Sequence, residues 1–174
     1  MKFEPFGPFE IPRKENGLVN AEDTASVFWS AAETDNKGLA DAVGCYIFSI
    51  RAGRGSLPWY VGKAEKQSFR KECFAPHKLN IYNEQVASRK GTPLLTLVTR
   101  FNPSGSYSGP RSSGYNDIPF LENMLIGLAV QRNPELANAR NTKFMREMVI
   151  PGVLNSPKGK NPSRVNEFKE LVGA

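Results

Sequence analysis

Tyr46 and Tyr60 stand on two short clusters, Gly44-Cys45-Tyr46 and Tyr60-Val61-Gly62, with Lys63 directly after the second. A phenol can accept a proton or order a water, and a glycine leaves room for something to approach the backbone. Downstream come Arg70, ten positions after Tyr60, then His77, Glu122 and Asn138. A guanidinium suits bidentate recognition of phosphate. Each residue also has an ordinary reading: strand tyrosines, a solvated arginine, a loop histidine, an asparagine that ties down a helix.

Glu122 is the most telling of them. Ile126 and Ala129 lie one and two turns further along its own helix face. A carboxylate there is costly unless it is paired or holds a cation. Its plain readings are a salt bridge to Arg70 or to a lysine, or a helix-start acid favoured by the dipole. The sharper reading is a hard oxygen ligand for Mg²⁺ or Mn²⁺, cations that take few protein ligands and complete their shell with water and phosphate.

The elements that must position these groups are partly legible. Val43–Ile50 and Trp59–Gly62 read as strands of a hairpin with a long loop, residues 51–58, and Leu94–Phe101 as a third, largely buried strand. A helix is expected from about Ala64 to Phe74, stopped or kinked at Pro76, with Lys63, Lys66 and Arg70 on one basic edge. Asn102–Asn116, rich in Ser, Gly and Pro, reads as a long mobile loop. Asp117 is placed to cap a helix over Phe120–Gln131 whose apolar residues run almost all round, so burial is expected. A further helix after Asn133-Pro134 would carry Asn138, and a basic linker would lead to a short helix over Arg164–Val172.

Composition sets the frame. The 174 residues, 40% of them apolar, suit one domain with its own core. The first forty residues, with a Pro/Phe-rich extended piece at Phe3–Pro12 and helical character within Ala21–Ala32, would pad that core. A net charge of +6 favours a polyanionic partner. Cys45 and Cys73 show no metal-ligand spacing and read as reduced, structural thiols, which points to the cytoplasm. Neither a secretion signal nor a membrane span is expected.

Taken in order, the motifs resemble those of the GIY-YIG nuclease family: a Gly-x-Tyr strand, a Tyr-(Ile/Val)-Gly strand, a helical Arg, a His or Tyr, a helical Glu and a later Asn. The resemblance covers about Val43–Lys143, leaving residues 1–42 and 144–174 as extensions. Cys45 replaces the usual Ile, the hairpin loop is somewhat long, and an insertion precedes the Glu helix, so Asn141 competes with Asn138 for the last position.

The resemblance implies an α+β fold with a small, mostly antiparallel three-stranded sheet flanked by helices. It also implies a divalent-metal-dependent DNA endonuclease using Mg²⁺ or Mn²⁺. Glu122 would hold the metal, Tyr46 would take the proton of the attacking water, Tyr60 would position water or phosphate, and His77 would assist ionisation. Arg70 and Lys63 would meet the phosphate oxygens, with Gly62 giving the backbone access, and Asn138 would support the site. Lys158, Lys160 and Arg164 in the tail, with Arg111 and Tyr115 in the loop, are candidate DNA contacts. A double-strand break would need a homodimer or two successive nicks. The rival readings are a nucleic-acid-binding module that does not cleave and a protein-interaction domain with a basic surface. Among nucleases, restriction, repair and homing roles all stay open.

Overall fold

The computed structural model describes residues 1–138 and 142–173. Its first strand, β1 (Lys2–Glu10), falls where only core-padding chain was expected, and it makes the sheet four-stranded rather than three-stranded. Pro5 and Pro8 argue against a strand, but β1 is an edge strand, where a missing N–H is tolerated, and a register shift between Phe6 and Phe9 absorbs the irregularity. Helix α1 (Ala21–Glu33) follows, then a single 3₁₀ turn at Leu39–Asp41.

Strands β2 (Gly44–Ala52) and β3 (Gly55–Ala64) form the expected hairpin, but the loop between them is short. Pairing runs on to Ala52↔Gly55, leaving only Gly53-Arg54 as the turn, and a register shift at Phe48/Ser49 accommodates Pro58 on the sheet edge. All pairings are antiparallel, in the order β1-β4-β2-β3, with β4 (Thr92–Phe101) central beside β2.

The segment after β3 departs most from expectation. Ala64 ends the strand, α2 is one turn (Phe69–Glu72), and Pro76 opens a new helix, α3 (Pro76–Ala87), instead of ending one. A proline has no N–H to lose in the first turn of a helix, so Pro76 is at home there. Lys63 therefore sits on a strand and Lys66 in a connection, not on a shared helical edge with Arg70.

Helix α4 (Asp117–Arg132) begins three residues before the expected Phe120. Asp117 makes no cap; its carboxylate accepts a hydrogen bond from Arg100 Nε at 2.8 Å. Nor is α4 buried all round, since Phe120, Met124 and Leu128 are more than half exposed. No helix forms at Asn133–Asn138; α5 is Thr142–Glu147, and α6 (Ser163–Val172) ends the chain close to expectation. No helix among the described residues is long and apolar enough to cross a membrane.

The core divides across the sheet. On one face Tyr46, Phe48, Leu95 and Leu97 pack with Phe28 and Trp29 of α1 and with Leu79, Tyr82 and Val86 of α3. On the other, Val61 packs with Ile126, Ala129 and Val130 of α4, and Cys45 with Ile118. The expected mobile loop is irregular but tied down. Ser108 exchanges backbone bonds with Val43 and Arg100, the Arg111 N–H donates to the Glu65 carbonyl, and the Tyr115 N–H donates to the Glu65 carboxylate.

Candidate active-site cleft

An open cleft of about 390 Å³ lies where β3 ends, lined by Lys63, Glu65, Lys66, Gln67, Glu72, Lys78 and Glu122. Alternation along β3 sends Lys63 to the α4 face, where its Nζ lies 3.3 Å from Glu122 and 3.8 Å from Glu65. Glu122 is thus paired, as the cost of a partly buried carboxylate requires, and its side chain keeps about 20% exposure toward the cleft.

The opposite wall comes from α2 and α3. Lys78, buried on the same helical stripe as Tyr82 and Val86, donates to the Tyr60 hydroxyl at 2.7 Å and pairs with Glu72 at 3.3 Å. Its ammonium also lies 5.0 Å from the centroid of the Tyr60 ring and 5.9 Å from that of Tyr46. Burial alone would depress the lysine pKa, but Tyr60 and Glu72 outweigh it and hold Lys78 above the usual lysine value.

Tyr46 and Tyr60 do come together, with ring centroids 6.2 Å apart. Their environments differ. Tyr60 is half-buried and reaches the cleft through Lys78. Tyr46 is fully buried, its hydroxyl has no hydrogen-bond partner, and desolvation, with Tyr82 beside it, drives its pKa well above the ordinary phenol value. Such a group resists giving up its own proton, as it must before it can act as a base, which argues against the role expected of Tyr46. Gly62 faces Tyr46 across the hairpin, and a β-carbon there would collide with the phenol ring and hydroxyl. Gly44 (φ 155°) makes the matching close approach to the Val98 carbonyl of β4. Both glycines make room for the protein itself rather than for phosphate.

Five expected site residues lie elsewhere. Arg70 is held by Glu33 at 2.9 Å and Asp41 at 3.3 Å, 5.8 Å from the Trp29 ring centroid, and does not line the cleft. His77 is exposed in the first turn of α3, and the next residue, Lys78, turns inward instead. Lys158, Lys160 and Arg164 are exposed on the C-terminal segment and also lie outside the cleft lining. Asn138 lies in irregular chain rather than on the expected helix and ties down β3: its Oδ1 accepts from the Val61 N–H at 2.9 Å and its Nδ2 donates to the Val61 carbonyl at 2.7 Å. Asn141 lies outside the described residues.

Lys78, Glu72, Glu65 and Asn133 were not singled out from the sequence. A signal for Lys78 was present, because a lysine in register with Tyr82 and Val86 on a helical stripe is the same anomaly that marks Glu122. Asn133, which donates to the Pro58 carbonyl at 2.7 Å and so covers the outer edge of β3 with Asn138, carried none.

A hard cation fits the donor set. Glu122 and Glu65 offer carboxylate oxygens beside an open cleft, with no soft ligand among its lining residues. No cluster of three or more ligating side chains occurs among the described residues, so a bound ion would depend on water and substrate oxygens for most of its shell. No protein-family model, curated protein or solved structure matches this chain.

Proposed function

We propose that this protein is a divalent-metal-dependent endonuclease that hydrolyses DNA phosphodiester bonds with GIY-YIG-type chemistry. One observation carries the reading: β3, α3 and α4 bring a partly exposed carboxylate, Glu122, and a lysine beside it, Lys63, to one open cleft, and a second lysine of its lining, Lys78, is bonded to the Tyr60 phenol. These are a metal ligand, a phosphate contact and a proton acceptor.

Mg²⁺ or Mn²⁺, held by Glu122 with Glu65 nearby, would supply Lewis-acid chemistry at the scissile phosphate. Tyr60 would first release its own proton to solvent, with Lys78, which donates to its oxygen, stabilising the phenolate; that phenolate then takes the proton of the attacking water and returns to the phenol. Lys63 leaves Glu122 to meet a non-bridging oxygen, joined by the exposed Lys66, and the two offset the charge that builds there. Arg70, which does not line the cleft and is paired with Glu33 and Asp41, takes no part in this contact. Tyr46 fixes the ring of Tyr60 from beneath, and Asn138 holds the strand that carries it.

Cleavage of supercoiled DNA with Mg²⁺ or Mn²⁺, against EDTA, tests this. The wild type nicks only with metal, and Glu122→Gln binds DNA without nicking it. Wild-type turnover by that variant would remove the role given to Glu122. The engagement of Arg70 with Glu33 and Asp41 favours a second reading, a DNA-binding module that does not cleave. Under that reading the wild type binds DNA and leaves it intact with either metal.

A further inference from the structure

A second groove, about 630 Å³, lies at the other end of β3, around the hairpin turn. Arg54 of the turn, Arg89 and Lys90 just after α3, and Arg132 at the end of α4 line it over an apolar floor that includes Leu57 and Trp59. No carboxylate lines it. The Arg89 guanidinium lies 3.7 Å from the centroid of the buried Trp59 ring, which holds it in place and leaves no open ring face there for a stacked base. Among the described residues its one ion pair, to Glu135 at 3.7 Å, is made by a carboxylate that is 76% exposed and contributes little.

Cations near a helix C-terminus often serve only to offset the dipole. At α3 that work is shared: Arg89 itself donates to the Gln85 carbonyl at 3.2 Å and to the Ser88 hydroxyl at 2.9 Å, and Arg13 joins it. Arg13 donates to the carbonyls of Val86, Arg89 and Gly91, at 3.4, 3.4 and 2.7 Å. Arg54, on a strand turn, has no helix end to complement, and neither it nor the exposed Lys90 pairs with a carboxylate among the described residues. Among the described residues only Arg89 of these four cations meets a carboxylate, and the positive field they make together favours an anion with several charges in the groove.

We propose that this groove is a second phosphate-backbone site for the DNA whose scissile bond enters the Glu122 cleft; the identity of the ligand rests on the endonuclease reading. Leu57 and Lys63 are both on β3, so at about 3.3 Å per residue the two sites lie about 20 Å apart. That span corresponds to about six base-pair steps of duplex. The groove grips the backbone away from the cut, and with Trp59 covered it contributes affinity rather than base readout.

The test is fluorescence anisotropy of a labelled duplex in EDTA over a range of salt, with wild type and Arg54→Ala/Lys90→Ala, two exposed positions whose replacement leaves the core intact. Loss of two phosphate contacts should weaken binding about tenfold or more and reduce the salt slope by about 2. In cleavage, KM should rise with kcat unchanged. Equal affinity and equal salt slope for variant and wild type would overturn the groove while leaving cleavage untouched. Groove-dependent binding by a wild type that never cleaves would instead overturn the endonuclease reading and leave the groove standing.

Discussion

The Tyr46 phenol lies against Gly62, its partner across the β2–β3 hairpin, in the space that a side chain at position 62 would need. This contact places the Tyr46 ring between the sheet and the aromatic core, beside Tyr60 and Tyr82, and closes its hydroxyl off from water. It also divides the labour of the two tyrosines, because only Tyr60 keeps a link to the cleft.

Replacing Gly62 by alanine should cost about 1–3 kcal/mol, the usual penalty for overpacking a well-filled site. Chemical denaturation would measure it. Stability equal to wild type would mean that the Tyr46 ring can move aside without cost.

The two tyrosines should separate cleanly on mutation. Tyr46→Phe removes a buried hydroxyl that has no partner, so it should keep activity and leave stability unchanged or raise it by about 1 kcal/mol. Tyr60→Phe should lower kcat about 10²-fold or more. Single-turnover cleavage and thermal melts of both variants would check this, and the reverse pattern would return the proton to Tyr46.

Asn138→Ala should destabilise the fold by about 1–3 kcal/mol, since it strands the buried N–H and carbonyl of Val61. Hydrogen exchange should show faster exchange at the Val61 amide in particular. Asn138→Asp keeps the acceptor but loses the donor, and should not restore wild-type stability.

Arg70→Ala should cost less than about 1 kcal/mol of stability, because its ion pairs are substantially exposed, and should leave kcat within a few-fold of wild type. A rate loss of about 10² or more would place the guanidinium on the phosphate during turnover.

Stability should also respond to alkali. Desolvation raises the Tyr46 and Tyr82 phenols well above the ordinary value, so the folded chain keeps these protons where the unfolded chain loses them. The unfolded state then binds fewer protons above about pH 10, and stability falls as pH rises through that point. A pH series of denaturation midpoints should be flat with respect to these groups at neutral pH and decline above it. Phenolate absorbance should show both groups ionising only with unfolding.

Local signals carried far along this chain where one physical cause dominates. The β-branched and aromatic run at 43–50 became β2, the apolar run before Phe101 became β4, and the anomaly of Glu122 among apolar neighbours led to a residue that is in fact paired in a cleft. Local reasoning failed where the deciding partner was remote. Pro5 and Pro8 argue against a strand until β4 supplies one side of the pairing and solvent the other. Pro76 breaks one helical pattern or starts another, and only the burial of Leu79, Tyr82 and Val86 chooses between them. Asn138 was expected on a helix; that it instead locks Val61 from irregular chain depends on where the chain returns after α4.

By itself, the sequence determined an α+β chain with a net positive charge, a Tyr-Gly hairpin, and a glutamate that had to find a cation or a basic partner. Those features follow from residue type and short-range spacing. Only the tertiary structure decided which phenol is bonded to a lysine of the cleft, that Lys78 rather than His77 turns inward, and that Arg70 is claimed by Glu33 and Asp41. Each of those outcomes depends on desolvation and pairing between side chains far apart in the chain, and neither is defined until the sheet and helices have closed around them.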